Sequence, residues 1–413
     1  MSALVILLLA IAGFFLFVYL LLRFNRLWIY KLLDRSLRNE RHRLDEKYQV
    51  PRYFVLNKEG EPDRSVKWPG WDGWYFFLLP EDEDFPIKMI RCSLMTGLYG
   101  LDGIDSYEKL REAKLDSFHA AEYLTLIPSD WRVDGTKERE NNLFQTYLPK
   151  ATDLAMKRDQ LDTAVTAAEA NSDADSSLYG RISGAWPDYR FQFVNSETGF
   201  RCDLTYKGAN ITWWADIRNV FTYFAAFGEI EGEISYLSGE ADRAEEVHRI
   251  RGSGAFEHGF ARKPFNYDSL WRSIKLLQKV FRSWNPIRYN YQLFIGRGSW
   301  QGGFMLASGF GINFRNLGGF YINGAYRRIK SVKIKYLNDP KPDVVTTSGR
   351  AEKFYHRWIV KAETDEGTLE YLATRQGPPP SITGNMIYYF FTYEGSYRGE
   401  SISGRGYGEY LTM

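Results

Sequence analysis

Gly404-Arg-Gly406-Tyr407-Gly-Glu409-Tyr410-Leu closes the chain, and Gly252-Ser-Gly254-Ala-Phe-Glu257-His258-Gly stands earlier in it. Both read G-x-G-x-x-E. Each follows a second shared pattern, Gly228-x-x-x-Gly232-Glu233 before the first and Gly395-x-x-x-Gly399-Glu400 before the second. Each is led in by aromatics, Tyr223-Phe224 and Tyr388 to Phe391. Two ordered elements recurring in two places predict an internal duplication. A longer hairpin loop in the first copy, carrying the charged Ser238 to Glu246 stretch, accounts for the difference in spacing.

A chain of 413 residues has room for two or three domains. The 44% hydrophobic and 16% aromatic content supplies a core and argues against disorder. Abundant Tyr, Phe and Gly favour strands with bulges and tight turns. A net charge of +2 gives no broad nucleic-acid affinity, so none is expected. The two cysteines, Cys92 and Cys202, each fall in an expected strand. They form neither a disulfide framework nor a metal cluster and read as buried thiols, with pairing left open.

Ala3 to Leu22 carries no charge. About 20 helical residues reach across a ~30 Å hydrocarbon layer. No basic residue precedes the run and bulky residues continue to its end, so it reads as an uncleaved single-pass anchor rather than a signal peptide. Arg23, Arg26, Lys31, Arg35 and Arg38 all follow it. That bias places residues 23–413 in the cytosol, at the endoplasmic reticulum or another membrane. The Asn210-Ile-Thr212 sequon would then never meet the glycosylation machinery. Residues 1–47 form the anchor with a basic juxtamembrane helix, either on anionic headgroups or solvated.

Residues 51–260 are expected to form a first β unit and 261–413 a connector with a second. In the first, Thr152 to Ala170 is rich in Ala, Leu, Asp and Lys, with Leu154, Leu161, Val165 and Ala168 at helical spacing. It predicts an inserted helix over 152–170. Strands are expected at 178–183, 189–194, 200–206 and 210–215, an antiparallel meander. In the second, strands follow one another closely from Tyr291 to Leu411 and predict a small closed barrel. Val332-Lys-Ile-Lys-Tyr336 alternates as a strand with one wet face should.

Two successive antiparallel barrels, the aromatic strand Trp71 to Phe77, the G-x-G-x-x-E-H element at Gly252 to Gly259 and the G-x-G-Y-x-E at Gly404 to Tyr410 resemble the tandem lipocalin-like superfamily. Carotenoid 1,2-hydratases, fungal Diels–Alderases and yeast survival-factor proteins are among its members. The resemblance covers roughly residues 65–413. It implies a fold of two tandem antiparallel lipocalin-like barrels, and a hydrophobic small-molecule site within or between them for isoprenoid, polyketide or ceramide ligands. The apolar run and the 152–170 insertion depart from that pattern.

Glu257-His258 is the most informative polar pair. In a dry site an acid beside an imidazole can protonate an alkene or polarise a carbonyl. Adjacent strand residues face opposite ways, so only one of them is expected to face a cavity. Glu257 and Glu409 otherwise read as equivalent structural positions bonded to backbone groups, and His258 has no counterpart beyond Tyr410. Asp216 completes the acid–base candidates. Trp74, Trp213, Trp214, Trp300, Tyr407 and Glu409 are candidates to line a ligand site, with core packing as the alternative for the aromatics. Gly296 to Gly303 lacks a phosphate loop's Lys-Ser/Thr and following helix, and reads as a hairpin turn. No cofactor or metal is implied. Arg327-Arg328-Ile-Lys330-Ser-Val-Lys333-Ile-Lys335 is strongly basic, either facing anionic lipid or simply solvated. The expected function is a membrane-anchored binding or transfer protein for a hydrophobic lipid-like molecule. The alternative is a cofactor-independent hydratase, isomerase or cyclase using His258, Glu257 and Asp216.

Overall fold

The computed structural model describes residues 5, 12–17, 19–20, 70–82, 85, 87, 89–97, 118–126, 141–147, 152–156, 161–168, 177–195, 200–217, 221–238, 244–262, 287–296, 300–309, 312–337, 343–345, 351–353, 355–376, 381–383 and 386–412. Most of the expected anchor, all of its basic flank and most of the 261–289 connector lie outside the described residues. Residues 12–17 and 19–20 are helical, and among the described residues no helix is long and apolar enough to cross a membrane.

The first sheet contains β1 (Gly70–Pro80), β2 (Met89–Gly97), β3 (Phe118–Leu126), β4 (Asn141–Tyr147), β5 (Thr152–Met156), β6 (Leu161–Ala168), β7 (Ser177–Ala185), β8 (Asp188–Asn195), β9 (Phe200–Ile217), β10 (Phe221–Ser238) and β11 (Ala244–Arg262). Its order is 4-3-2-1-11-10-9-8-7-6-5, antiparallel throughout. The second contains β12 (Ile287–Gly296), β13 (Gln301–Gly309), β14 (Ile312–Ile322), β15 (Ala325–Arg328) and β16 (Ser331–Tyr336). After the separate hairpin of β17 (Asp343–Val345) and β18 (Ala351–Lys353) come β19 (Arg357–Glu363), β20 (Thr368–Gln376), β21 (Ser381–Thr383), β22 (Met386–Tyr397) and β23 (Glu400–Thr412). Its order is 15-14-13-12-23-22-20-19-16, with β21 on β22.

In each sheet the first and last strands pair at the centre, β1 with β11 and β12 with β23, and the G-x-G-x-x-E strand is the last. Glu257 stands opposite Tyr75 and Glu409 opposite Tyr291, at the same register from the two glycines. The glycines have a steric reason. A Cβ on Gly254 would come within 2.6 Å of the Phe77 carbonyl oxygen, and one on Gly406 within 2.6 Å of that of Leu293. Neighbouring backbone therefore approaches where only glycine fits.

The second shared pattern shifts under this register. Ile250 and Ile402 are equivalent, and they face Gly232 and Gly395. Gly395 thus corresponds to Gly232, not to Gly228. Gly399 instead sits beside Arg398 in a two-residue turn, both with positive φ (83° and 54°), as a tight hairpin requires. The first hairpin runs on to Ser238 opposite Ala244, so its copy is the longer one, as expected.

Three other expectations are corrected. The 152–170 helix is absent; β5 and β6 pair there, and β6 pairs β7. Leu161, Thr163 and Val165 alternate with period two, and the strand pairing on offer outweighs the weak helical preference of the alanines. Residues 200–206 and 210–215 are one strand, not two: β9 runs through Gly208, and the ladder to β10 skips Ala209 and Trp214. The second sheet is curled rather than closed, since among the described residues no ladder joins β15 to β16. Its gap is crossed by the chain itself, with Ile329 N–H donating to Gly318 O (3.0 Å) and Lys330 N–H to Glu363 O (2.7 Å). The first sheet likewise curls until β3 meets β6 and β7, with no ladder between β4 and β5 among the described residues.

Aromatics fill both concave sides. Phe76 packs on Phe191 (4.9 Å) and Phe256 (4.8 Å) in the first. Trp300 packs on Phe320 (4.6 Å) in the second. Fully burying one such side chain contributes about 1.5–3 kcal/mol. The alternation in β19, with Trp358, Val360 and Ala362 buried, marks an ordinary one-wet-face strand. By contrast β1 is buried on both faces, because Tyr75, Phe77 and Leu79 are covered as fully as Trp74, Phe76 and Leu78. That is why Trp74 to Leu79 reads as an unbroken apolar run. The outer face of β1 is covered by the second sheet, with Phe77 against Tyr407 (4.6 Å) and Tyr223 against Tyr291 (6.4 Å).

Candidate functional site at the seam between the sheets

Strand geometry separates Glu257 from His258. His258 points into the first sheet's concave side, stacked on Trp74 (5.0 Å, 10°) and edge-on to Phe224 (5.9 Å). Glu257 points out, into the seam, and both residues are fully buried. Ala225, opposite Glu257 on β10, is small, and Tyr223 two residues away donates its hydroxyl to Glu257 Oε2 (2.7 Å). Glu257 Oε1 is buried with no hydrogen-bond partner among the described residues.

Arg91 enters the seam from β2, opposite Phe77. It is 1% exposed. Its guanidinium lies over the rings of Tyr75 (5.0 Å) and Tyr407 (5.6 Å), and its Nη2 is 3.8 Å from Glu409 Oε1. Tyr407 O–H donates to the same Oε1 (2.8 Å). The duplicated glutamates thus both lie at the seam, and each accepts from a tyrosine hydroxyl.

The charge count is unequal. The register makes Gly303 the second sheet's equivalent of Arg91, since Gly303 faces Leu293 as Arg91 faces Phe77. Among the described residues of the seam, one guanidinium thus stands beside two carboxyls. Two carboxylates in a dry seam beside one cation would leave an uncompensated buried charge, which costs several kcal/mol. A retained proton removes that cost. Burial raises the Glu257 carboxyl well above its usual range, and the Glu409 charge raises it further; the Tyr223 hydrogen bond and Arg91 pull the other way. Burial thus favours the protonated form of Glu257, whose Oε2 is occupied by Tyr223 while Oε1 has no partner among the described residues.

Of the other expected site residues, Trp74 and Trp300 belong to the two concave packings, Trp300 stacked on Phe294 (5.7 Å, 23°). Trp213 faces Phe224 and Asp216 faces Thr222 on the β9–β10 ladder; their side chains lie outside the described residues. Trp214 falls at the register skip, so the strict alternation expected of the Trp pair does not hold there. Cys92 and Cys202 are buried and form no disulfide with each other. Arg91, Tyr75, Tyr223 and Tyr291 were not singled out in the sequence. Arg91 had a signal, a single charge inside Met89-Ile-Arg-Cys-Ser-Leu.

A second buried polar cluster lies within the second sheet. Gln292 Oε1 accepts from Tyr371 O–H (3.0 Å) and Trp358 Nε1 (3.4 Å), and Asn290 Oδ1 accepts from Tyr389 O–H (3.1 Å) and Gln292 Nε2 (3.4 Å). Donors and acceptors answer each other, so this network fixes the core. Among the described residues no group of three or more His, Cys, Asp or Glu could hold a metal.

No family model matches the chain, and no curated protein matches it in sequence. Among solved structures, the chain is similar to the Nitrosomonas europaea protein NE1406 (AttH by assignment), with a TM-score of 0.50 and 10% identity over 83% of this chain and 92% of that one. The fold is the tandem lipocalin-like one. CghA with Sch210972 superposes with a TM-score of 0.45 at 10% identity, covering 84% and 89% of the two chains. Kievitone hydratase from Nectria haematococca gives 0.47 at 9% identity, covering 90% and 97%. In this tandem lipocalin-like chain the carboxyl pair lies between the two halves rather than inside either.

Proposed function

We propose that the protein binds or transfers a hydrophobic, lipid-like small molecule at the seam between residues 51–260 and 261–413. The ligand's oxygen accepts the proton that Glu257 offers. The observation that carries this reading is Glu257 Oε1: fully buried, on a carboxyl whose pKa burial raises, and without a partner among the described residues. Tyr75 stands opposite Glu257, Tyr223 bonds it and Tyr291 packs on Tyr223, which brings buried rings suited to an apolar body to this part of the seam. Residues 3–22 anchor the chain in a membrane, with residues 23–413 cytosolic. Phe14, Phe15, Leu16 and Phe17 support this, being 57–63% exposed and apolar on a helical stretch. Such an anchor raises the local concentration of a ligand that partitions into lipid.

A second reading rests on the same neutral acid. Glu257 would protonate an isoprenoid or polyketide in a cofactor-independent hydration, isomerisation or cyclisation, with the Glu409 carboxylate as the acceptor of a proton. His258, buried against Trp74, then supports the strand rather than the chemistry.

The test is native mass spectrometry of detergent-extracted full chain, with solvent extraction of what it retains. Wild type and His258→Phe are expected to carry the same small molecule, and Glu257→Leu to lose it while staying folded. No retained molecule in wild type, or equal retention in Glu257→Leu, would overturn the reading. Under the catalytic reading Glu257→Gln keeps the ligand and loses turnover.

A further inference from the structure

The basic run singled out in the sequence ends on an edge of the second sheet. β16 is the last strand of that sheet's order, with Lys333 and Lys335 on its exposed face. On the neighbouring β19, Lys361 stands directly opposite Lys333, and Arg357 lies further along the same face. Lysines on an edge strand commonly guard against sheet-to-sheet pairing. That accounts for Lys333 and Lys335. It does not account for Arg357, which lies on the interior strand β19 and forms no ion pair with any described residue.

Other cations nearby are spent. Lys330 pairs with Asp365, Arg327 with Glu366 (3.0 Å) and Lys361 with Glu370 (3.5 Å). Lys333, Lys335 and Arg357 form no ion pair with any described residue. Between them lie two apolar side chains that are only partly covered, Ile359 opposite Lys335 and Leu372 opposite Ile359. Uncompensated cations around half-exposed aliphatic groups match a surface that offers negative charge at its outer plane and hydrocarbon just beneath it.

We infer that the outer face of β16 and β19 docks on an anionic phospholipid surface, with Lys333, Lys335 and Arg357 on the headgroup phosphates and Ile359 and Leu372 at the headgroup–acyl boundary. The inference is independent of the seam and of the proposed anchor. Each cation contributes roughly a fivefold gain in association with an anionic over a neutral surface, screened by salt.

The experiment is amine footprinting of the full chain with an acetylating reagent, read by mass spectrometry at each lysine. It compares vesicles of phosphatidylcholine alone with vesicles that also contain phosphatidylserine. Because only lipid composition changes, insertion of residues 3–22 contributes equally to both arms. Modification of Lys333 and Lys335 is expected to slow several-fold with phosphatidylserine vesicles and recover at high salt. Exposed Lys207 on the first sheet should be unchanged. In Arg357→Glu the protection of Lys333 should fall roughly fivefold or more. Equal modification with the two vesicle types, equal protection of Lys207, or full protection retained in Arg357→Glu would overturn the inference. A basic protein ligand in place of lipid is excluded by the same charge; an acidic protein would protect these lysines without vesicles, and that result would also overturn it.

Discussion

Replacing Glu257 by glutamine isolates the proton that the seam retains. Above about pH 4.3 the unfolded chain ionises this side chain, while burial in the folded chain raises its pKa and favours the neutral form. A group whose folded pKa is raised contributes stability that is full below the unfolded pKa and is lost as pH rises toward the folded pKa. Each pH unit in that window therefore lowers wild-type stability by about 1.4 kcal/mol relative to a chain that cannot titrate there. Between pH 5 and pH 7 the two chains should diverge by about 2.7 kcal/mol in favour of glutamine. With an unfolding entropy of roughly 2.1 cal/mol/K per residue, that difference is about 3 °C in Tm for a chain of this length. Any offset from exchanging O–H for NH2 does not depend on pH. Calorimetry of both chains at pH 5, 6 and 7 and equal ionic strength supplies the measurement. A Tm difference that stays flat across the three, or one that turns against glutamine as pH rises, would refute the reasoning: the carboxyl would then be ionised in the fold.

The neighbouring groups give three further expectations. Arg91→Met removes the one cation that the described residues place in the seam and should cost about 3–5 kcal/mol in denaturant unfolding, and adding Glu409→Gln should restore most of it. Tyr223→Phe removes a hydrogen bond that holds the Glu257 carboxyl down, so the pH-dependent loss of stability should extend to higher pH than in wild type, besides a loss of about 1–3 kcal/mol from the abandoned buried oxygen. Gly406→Ala drives a methyl into the Phe391 ring and the Leu293 carbonyl; it should cost at least about 1–3 kcal/mol by thermal unfolding, whereas exposed Lys207→Ala should leave stability within ~0.5 kcal/mol.

Much of the architecture was legible because the duplicated motif states a geometric requirement. Glycines recur where strand backbones crowd, and a glutamate recurs three residues on, so Gly252 to Glu257 and Gly404 to Glu409 revealed equivalent strands. The β-rich content and the one-wet-face alternation of Val332 to Tyr336 were equally plain. The glycines at Gly228 and Gly399 misled, because one lies in a ladder and the other in a turn, and spacing alone does not distinguish the two. Thr152 to Ala168 misled because alanine reports helix preference, while the strand partner of β6 that decides the matter, β7, is not part of the alanine-rich pattern itself. The seam was the least legible feature. Its charged residues and the tyrosines that bond them come from β2, β10, β11 and β23; Arg91 belongs to no motif, and Tyr223 entered only as part of an aromatic lead-in. An unbroken apolar strand such as Trp74 to Leu79 did hold the clue, since it needs cover on both faces, but not the identity of what covers its outer face. Placing ligand contacts on Trp74 and Trp300 followed from the usual picture of a hollow barrel. In this chain those side chains stack within the packed concave sides, and the carboxyls gather between the sheets.

The most direct test of a neutral Glu257 lending its proton to a ligand oxygen is infrared spectroscopy of the protonated-carboxyl stretch at pH 7, taken before and after solvent extraction of the retained molecule. Wild type should show a band that Glu257→Gln lacks, and that band should move to higher frequency once the ligand oxygen is gone. A spectrum at pH 7 identical in wild type and Glu257→Gln would contradict the account.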